Sequence, residues 1–249
     1  MSDIVSVSNA QELRQALHRA NGGETIELAG GDYGDLDLLT FKTFGVKAIY
    51  DSPVTITSAD PESRASFSGM DLREVKNLTF NNVVFDSDYT GSAVWVAPFR
   101  IQNSEGVTIR NSLFEGELVS GTGDPTVDGF ATGKGLSVRG GSDIVIEDSE
   151  FTTFHRGLIM GGVDNVRVTG NDVHSMRSDG MNFAHVQNVL IEDNHLHDFL
   201  RSKSSGDHAD MIQFWTNGGS RPSTDVIIRG NTLDVGEGDG TQSIFMRND

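Results

Sequence analysis

Six nine-residue segments of this chain superimpose without gaps: NLTFNNVVF (77–85), GVTIRNSLF (106–114), DIVIEDSEF (143–151), NVRVTGNDV (165–173), NVLIEDNHL (188–196) and DVIIRGNTL (225–233). Apolar residues fill the second, fourth and ninth positions of every copy, as with Val189, Ile191 and Leu196. Alternation over the first four residues is the period of a strand with one buried face. A two-residue polar turn follows, and the ninth residue points inward from the next short strand. The copies start 29, 37, 22, 23 and 37 residues apart. A base period of 22–23 residues, with two insertions of about 14, is what a parallel β-helix requires. In that solenoid each coil of three short strands stacks on the last at roughly 4.8 Å. The insertions, near 116–134 and 199–210, must leave the stack as loops.

The second turn residue in successive later copies is Ser112, Ser149, Asn171, Asn194 and Asn231. Asn tolerates the left-handed conformation of a sharp corner, and stacked amides hydrogen-bond along a ladder. Val83 breaks this pattern, so the ladder is expected to begin after the first copy. A Rossmann-type fold needs amphipathic helices between strands, and the sequence offers none after residue 25. A propeller would repeat near 40 residues. The one convincing helix lies in NAQELRQALHRA, capped by Ser8 or Asn9, with Leu13, Leu17 and Ala20 as its apolar stripe. It is expected to close the first coil. One domain over 1–249 follows, with 1–24 as cap helix and lead-in and 25–249 as coils. The other end, IFMRND, shows no cap, which leaves a continuing chain or another subunit to cover it.

The order of helix, GGETIELAGGDYGD, PVTITSADPESRASFSG and NLTFNNVVF resembles the right-handed parallel β-helix superfamily of pectate-lyase type. The N-terminal third is similar to polysaccharide lyases that act on alginate and chondroitin-type chains. The resemblance implies an all-β fold, a right-handed single-stranded parallel β-helix (solenoid) with an N-terminal capping α-helix. Members of the superfamily include uronate lyases, mannuronan epimerases, pectin hydrolases and esterases, and phage tailspikes, so fold alone leaves the chemistry open.

Composition narrows the classes. With 36 Asp and Glu against 19 Lys and Arg the net charge is −17, which argues against a nucleic-acid partner while leaving room for a local basic cleft. There is no cysteine, so disulfides and thiol chemistry are excluded. No apolar run reaches 18 residues, so no membrane partner is expected. MSDIVSVSNAQ has neither a basic start nor an apolar stretch, so no N-terminal signal peptide is expected in it. The expected place of action is extracellular, or a virion or cell surface, as the resemblance implies.

Candidate site residues come from the strand that follows each rung: GLSVRG (135–140), GLIMGG (157–162), GMNFAH (180–185), MIQFWT (211–216) and SIFMRN (243–248). Aligning Leu136, Leu158, Met181, Ile212 and Ile244 inward produces an edge column of Lys134, Arg156, Asp179, Asp210 and Gln242. The outward columns read Ser137, Ile159, Asn182, Gln213 and Phe245, then Arg139, Gly161, Ala184, Trp215 and Arg247. Cations beside carboxylates, with amides and a Trp, suit a sugar acid: the cations hold the carboxylate and the aromatic face stacks on the ring. Lys134, His155, Arg156, Asp179, His208 and Asp210 are thus the catalytic candidates. Arg139, Asn182, Gln213, Trp215 and Arg247 are the substrate-binding ones. Asp179, Asp207 and Asp210 are hard oxygen ligands that would suit Ca²⁺. The insertions also deliver Asp124 and Asp128. His174, His195 and His197 read as surface histidines.

The leading expectation is an enzyme on an acidic, uronate-containing polysaccharide, a lyase or a C5-epimerase. Both start by removing the C5 proton, with Arg156, Lys134 or Ca²⁺ neutralising the carboxylate and His208, His155 or Lys134 as base. A glycoside hydrolase using Asp179, Asp207 and Asp210 is a second option. A non-catalytic glycan-binding module, such as a tailspike or surface adhesin, is the third.

Overall fold

The computed structural model describes residues 3–39, 48–216 and 221–248. They wind into a right-handed parallel β-helix whose described strand pairings are all parallel, apart from one isolated antiparallel bridge, Leu118 to Ala131. Each coil presents three faces. The first face stacks Lys134–Glu147, Arg156–Gly161, Met181–Ala184, Asp210–Thr216 and Gln242–Asn248. The second carries the repeated segments, in the second half of Lys134–Glu147 and then Asp164–Thr169, Gln187–Glu192 and Thr224–Arg229. The third is built of short strands such as Glu150–Thr152, Asp172–His174 and His195–His197.

The register follows the repeat. Leu78, Val107, Ile144, Val166, Val189 and Val226 are successive neighbours on the second face. The ninth positions, Phe85, Phe114, Phe151, Val173, Leu196 and Leu233, stack on the third. Phe85, Phe114 and Phe151 lie ring on ring, with centroids 4.3 and 4.5 Å apart. Each such pair adds about 0.5–1.5 kcal/mol to the burial of the ring itself.

The corners correct one expectation. The left-handed residue is not the second turn position but the first: Asn82, Asn111, Asp148, Gly170, Asp193 and Gly230 all have φ between 48° and 67°. The first repeat position is left-handed too, at Asn77, Gly106, Asp143, Asn165, Asn188 and Asp225. Asn, Asp and Gly are the residues that bear this conformation most easily. The second turn position instead points inward and forms the ladder. Asn171 Nδ2 donates to Asn194 Oδ1 at 2.9 Å, and Asn194 Nδ2 to Asn231 Oδ1 at 2.9 Å. Serine continues the ladder downward, with the Ser112 N–H donating to Ser149 Oγ and the Val83 N–H to Ser112 Oγ.

The helix Ala10–Arg19 is capped by Asn9, whose side chain accepts from the Glu12 N–H, and Glu12 reaches back to the Ser8 N–H. Leu13 and Leu17 are buried on the first coil. A strand, Ile4–Val7, precedes the helix and pairs with Thr25–Leu28. On the last described coil Ile244 and Met246 are exposed, and Val226, Ile228 and Leu233 only partly buried.

Candidate functional site

The first face carries the columns read from the sequence. Lys134 is paired with Arg156, Ile159 with Asn182, Asn182 with Gln213, and Trp215 with Arg247. Arg139 aligns with Gly161 and Gly161 with Ala184. Alternation that buries Leu158, Met181 and Ile212 turns these residues outward. They floor a shallow depression of about 210 Å³, lined among others by Arg139, Arg156, Ile159, Asn182, Gln213 and Trp215. Trp215 is 41% exposed, meets Phe245 edge-on at 6.4 Å, and carries the Arg247 guanidinium 5.9 Å from its ring centre.

Beneath the depression runs a polar chain. Arg156 Nε lies 2.9 Å from Asp179 Oδ2, although its N–H does not align for a hydrogen bond, so the contact is one of charge. Asn182 Nδ2 donates to Asp179 Oδ2 and to Gln213 Oε1, both at 2.9 Å. Gln213 Nε2 donates to Asp210 Oδ2 at 2.6 Å, and the Asp210 N–H to Asp179 Oδ1 at 3.1 Å. Ser178 Oγ sits 3.3 Å from Asp179 Oδ1 and donates to the His208 carbonyl. Asp179 is 0% and Asp210 1% exposed. Burial pushes the Asp179 carboxyl above the usual carboxylate range, against the pull of Arg156 and Asn182. Asp210 Oδ1 and Asn182 Oδ1 have no hydrogen-bond partner among the described residues. Lys134 is half-buried, and its ammonium is pushed down by burial and by the Arg156 and Arg139 guanidiniums.

Loops wall the edge of the strands that carries Lys134. The Lys134 N–H donates to the Val96 carbonyl at 2.8 Å, Thr132 Oγ1 to Gly91, and Ser202 Oγ to Thr126 at 3.0 Å. The loops thus hold one another as well as the coil. Within the first insertion Asp124 and Asp128 are turn formers, accepting from Thr126 and from Thr122 and Gly123.

Three expectations change here. His155 does not face the depression as a base: it is 3% exposed, packed 3.5 Å from Asp207 Oδ1, and burial pushes its pKa down to about 4. Asp207 is not a companion of Asp179 and Asp210. Its Oδ2 accepts from Arg177 Nε at 2.9 Å and from Ser205 Oγ at 2.7 Å, pinning the insertion to the coil. The three aspartates therefore make no calcium cage. Their oxygens do not converge within 4.8 Å, two are buried under amides, and one is neutralised by a buried Arg. His208 is exposed, and its backbone carbonyl accepts from Ser178 Oγ. Arg177 and Ser178 escaped the sequence reading because they sit at a corner, ahead of the strand columns that the alignment reads. Gly161 left a legible signal, a residue without a side chain directly beside Arg139 in its column. The Arg139 guanidinium lies across that gap.

The family model for the right-handed β-helix region matches residues 99–247. No curated protein sequence matches the chain. In structure it is similar to PfbA, a surface adhesin of Streptococcus pneumoniae, with TM-score 0.58 and 14% identity over 91% of this chain and 70% of that one. It is also similar to the pectate lyase Bsp165PelA from Bacillus sp. N165, solved in complex with trigalacturonate, with TM-score 0.53 and 13% identity over 94% of this chain and 82% of that one. At these identities the likeness is one of fold.

Proposed function

The chain belongs to the right-handed β-helix family, and on that premise we propose that it recognises an acidic, uronate-containing polysaccharide outside the cell or on a virion or cell surface, and cleaves it by β-elimination. The observation that carries this reading is the local inversion of charge: Lys134, Arg139 and Arg156 gather on neighbouring coils of an acidic chain, beside an exposed Trp215. Arg156 and Arg139 pair with the uronate carboxylate and stabilise the enolate that forms as the C5 proton leaves. Lys134 takes that proton, because burial and two guanidiniums make its neutral amine more available. The electron pair closes a C4–C5 double bond as the C4–oxygen bond breaks, and the departing oxygen takes a proton from water, with Lys134 later releasing its own to solvent. Return of a proton to the opposite face of C5 would give epimerisation instead. Trp215 stacks on a sugar ring.

Asp179 and Asp210 act as positioning residues in this scheme. They hold Arg156 and the Asn182–Gln213 amides in place, and their burial disfavours a hydrolase, which needs carboxyl groups at the glycosidic bond. The same burial favours a second reading, glycan binding without turnover. Mixing the chain with alginate, pectate or glycosaminoglycan and following ultraviolet absorbance of unsaturated ends separates the two. The elimination reading expects absorbance that Lys134→Gln abolishes while oligouronate binding persists. Binding with no product from any uronan leaves the second reading. Absence of both would overturn the site.

A further inference from the structure

The outer surface of the third face gathers histidines in a place the depression does not use. Asp172 is in register with His195, and His174 with His197, on adjacent coils. Asp172 Oδ1 lies 2.8 Å from His197 Nε2 and 3.9 Å from His195 Nδ1. The His195 and His197 rings stack with centroids 4.0 Å apart. Among the described residues, these three side chains form the group whose donor atoms all fall within 4.8 Å of one another. We propose that Asp172, His195 and His197 form a binding site for a divalent transition cation of the zinc, nickel or copper type, bridging two coils of the solenoid.

The distances suit such an ion. Donors at about 2.0–2.1 Å from a tetrahedral cation sit about 3.3 Å from each other. The observed 2.8 and 3.9 Å bracket that separation. The His195 side chain, 47% exposed, is free to tilt out of the stack and close the difference. His197 is already oriented for the task. Its Nδ1–H donates to Asp198 Oδ2 at 2.6 Å, and its Nε2 shares a proton with Asp172 Oδ1 at 2.8 Å, so a cation that displaces that proton finds Nε2 and the carboxylate already aimed at it. A carboxylate behind a ligating imidazole is the usual support of a metal-bound histidine. Two imidazoles and one carboxylate select borderline metals over calcium or magnesium, which take oxygen cages. A fourth position stays open to water. His174 is separate: its Nε2 is engaged by Glu150 Oε1 at 3.1 Å.

The test uses the whole chain, stripped with a chelator and titrated calorimetrically with Zn²⁺ and, in parallel, with Ca²⁺. One saturable Zn²⁺ per chain is expected, together with a raised melting temperature, since the ion ties adjacent coils. Ca²⁺ produces neither. His197→Gln and Asp172→Asn should each weaken Zn²⁺ binding at least tenfold, and Asp198→Asn roughly 10–100-fold through the orientation of His197. His174→Gln and His208→Gln should leave it unchanged. In the unmutated chain the ring resonances of His195 and His197 should shift on Zn²⁺ addition before those of His18, His185 and His208, whatever the variants do to folding. Absence of saturable binding, a shift that begins at other histidines, or undiminished affinity in a folded His195→Gln/His197→Gln variant overturns the site.

Discussion

Replacing Gly161 with Ala tests the depression without removing any side chain that faces the ligand. A Cβ at that position would stand 2.3 Å from Arg139 Nη1, 3.2 Å from its Cζ and 3.3 Å from its Cδ. Ordinary contact begins at 3.4 Å, so the guanidinium must retreat by about 1 Å or rotate away. The obstructing atoms are the mobile end of a side chain, and Gly161 is not among the left-handed glycines, so the backbone has no reason to move. An alanine in a strand interior is favoured over glycine by about 0.5–1 kcal/mol, so stability should hold or rise slightly. Affinity should fall. Arg139 is exposed, which limits its pairing with a uronate carboxylate to about 1 kcal/mol, or roughly fivefold in Kd. Calorimetric titration with an oligogalacturonate of the unmutated chain, Gly161→Ala, Arg139→Ala and the double variant completes the cycle. If the methyl acts by displacing Arg139, it costs nothing further once Arg139 is gone. Additive losses, or no loss in Gly161→Ala alone, would refute the reasoning.

Other perturbations read the scaffold. Asn194→Ala removes the acceptor of the buried Asn171 N–H together with three further ladder bonds, and should cost about 3–5 kcal/mol in urea denaturation. Asn194→Ser should cost less, because a serine at this position accepts from the coil before it, as Ser149 does from Ser112. Arg177→Ala strands the half-buried Asp207 carboxylate and should free the 199–209 insertion, seen as faster proteolytic nicking there while the coils stay folded. Burial and the Arg156 and Arg177 charges outweigh Asp207 and hold His155 neutral, with a pKa near 4 against about 6.5 in an unfolded chain. As pH falls the unfolded chain therefore binds its proton first. His155 contributes its full stability above about pH 6.5 and loses about 3 kcal/mol between there and pH 4. His155→Gln should flatten that part of the slope, read as urea midpoints at pH 7 and pH 5. An unchanged slope would sink the assignment.

Register was legible in the sequence because stacking turns a spacing of 22 or 23 residues into a neighbour one strand away. That is how Arg156 and Asp179, 23 residues apart, emerged as partners, while Asn182 and Gln213, 31 apart across an insertion, emerged from aligning the inward residues of their strands. The reading failed where the pattern stops. His155 and Arg177 sit at corners, where alternation no longer says which way a side chain points, and both turn inward. Asp207 belongs to an insertion with no counterpart in other coils, so only the folded loop reveals its partner. The corner residues misled for a different reason. Asn suits a left-handed turn and an amide ladder equally, and composition alone could not separate the first turn position, which turns, from the second, which stacks.

Charge placement links the scaffold to the proposed ligand. A surplus of acidic residues, −17 over the chain, repels a polyanion at long range, and within the site Asp179 and Asp210 would repel it at contact. They do not present themselves there, because both are buried beneath Asn182 and Gln213, whose amides turn their donors to the carboxylates. What the surface offers instead is Arg139, Arg156 and Trp215. In salt near 0.15 M the field of distant charges fades beyond about 8 Å, so the guanidiniums dominate once a ligand reaches the depression. Diffuse attraction, the device of nucleic-acid binders, is absent from such a surface. Recognition then rests on contact geometry. In the proposed reading a uronate carboxylate pairs with guanidiniums held on successive coils.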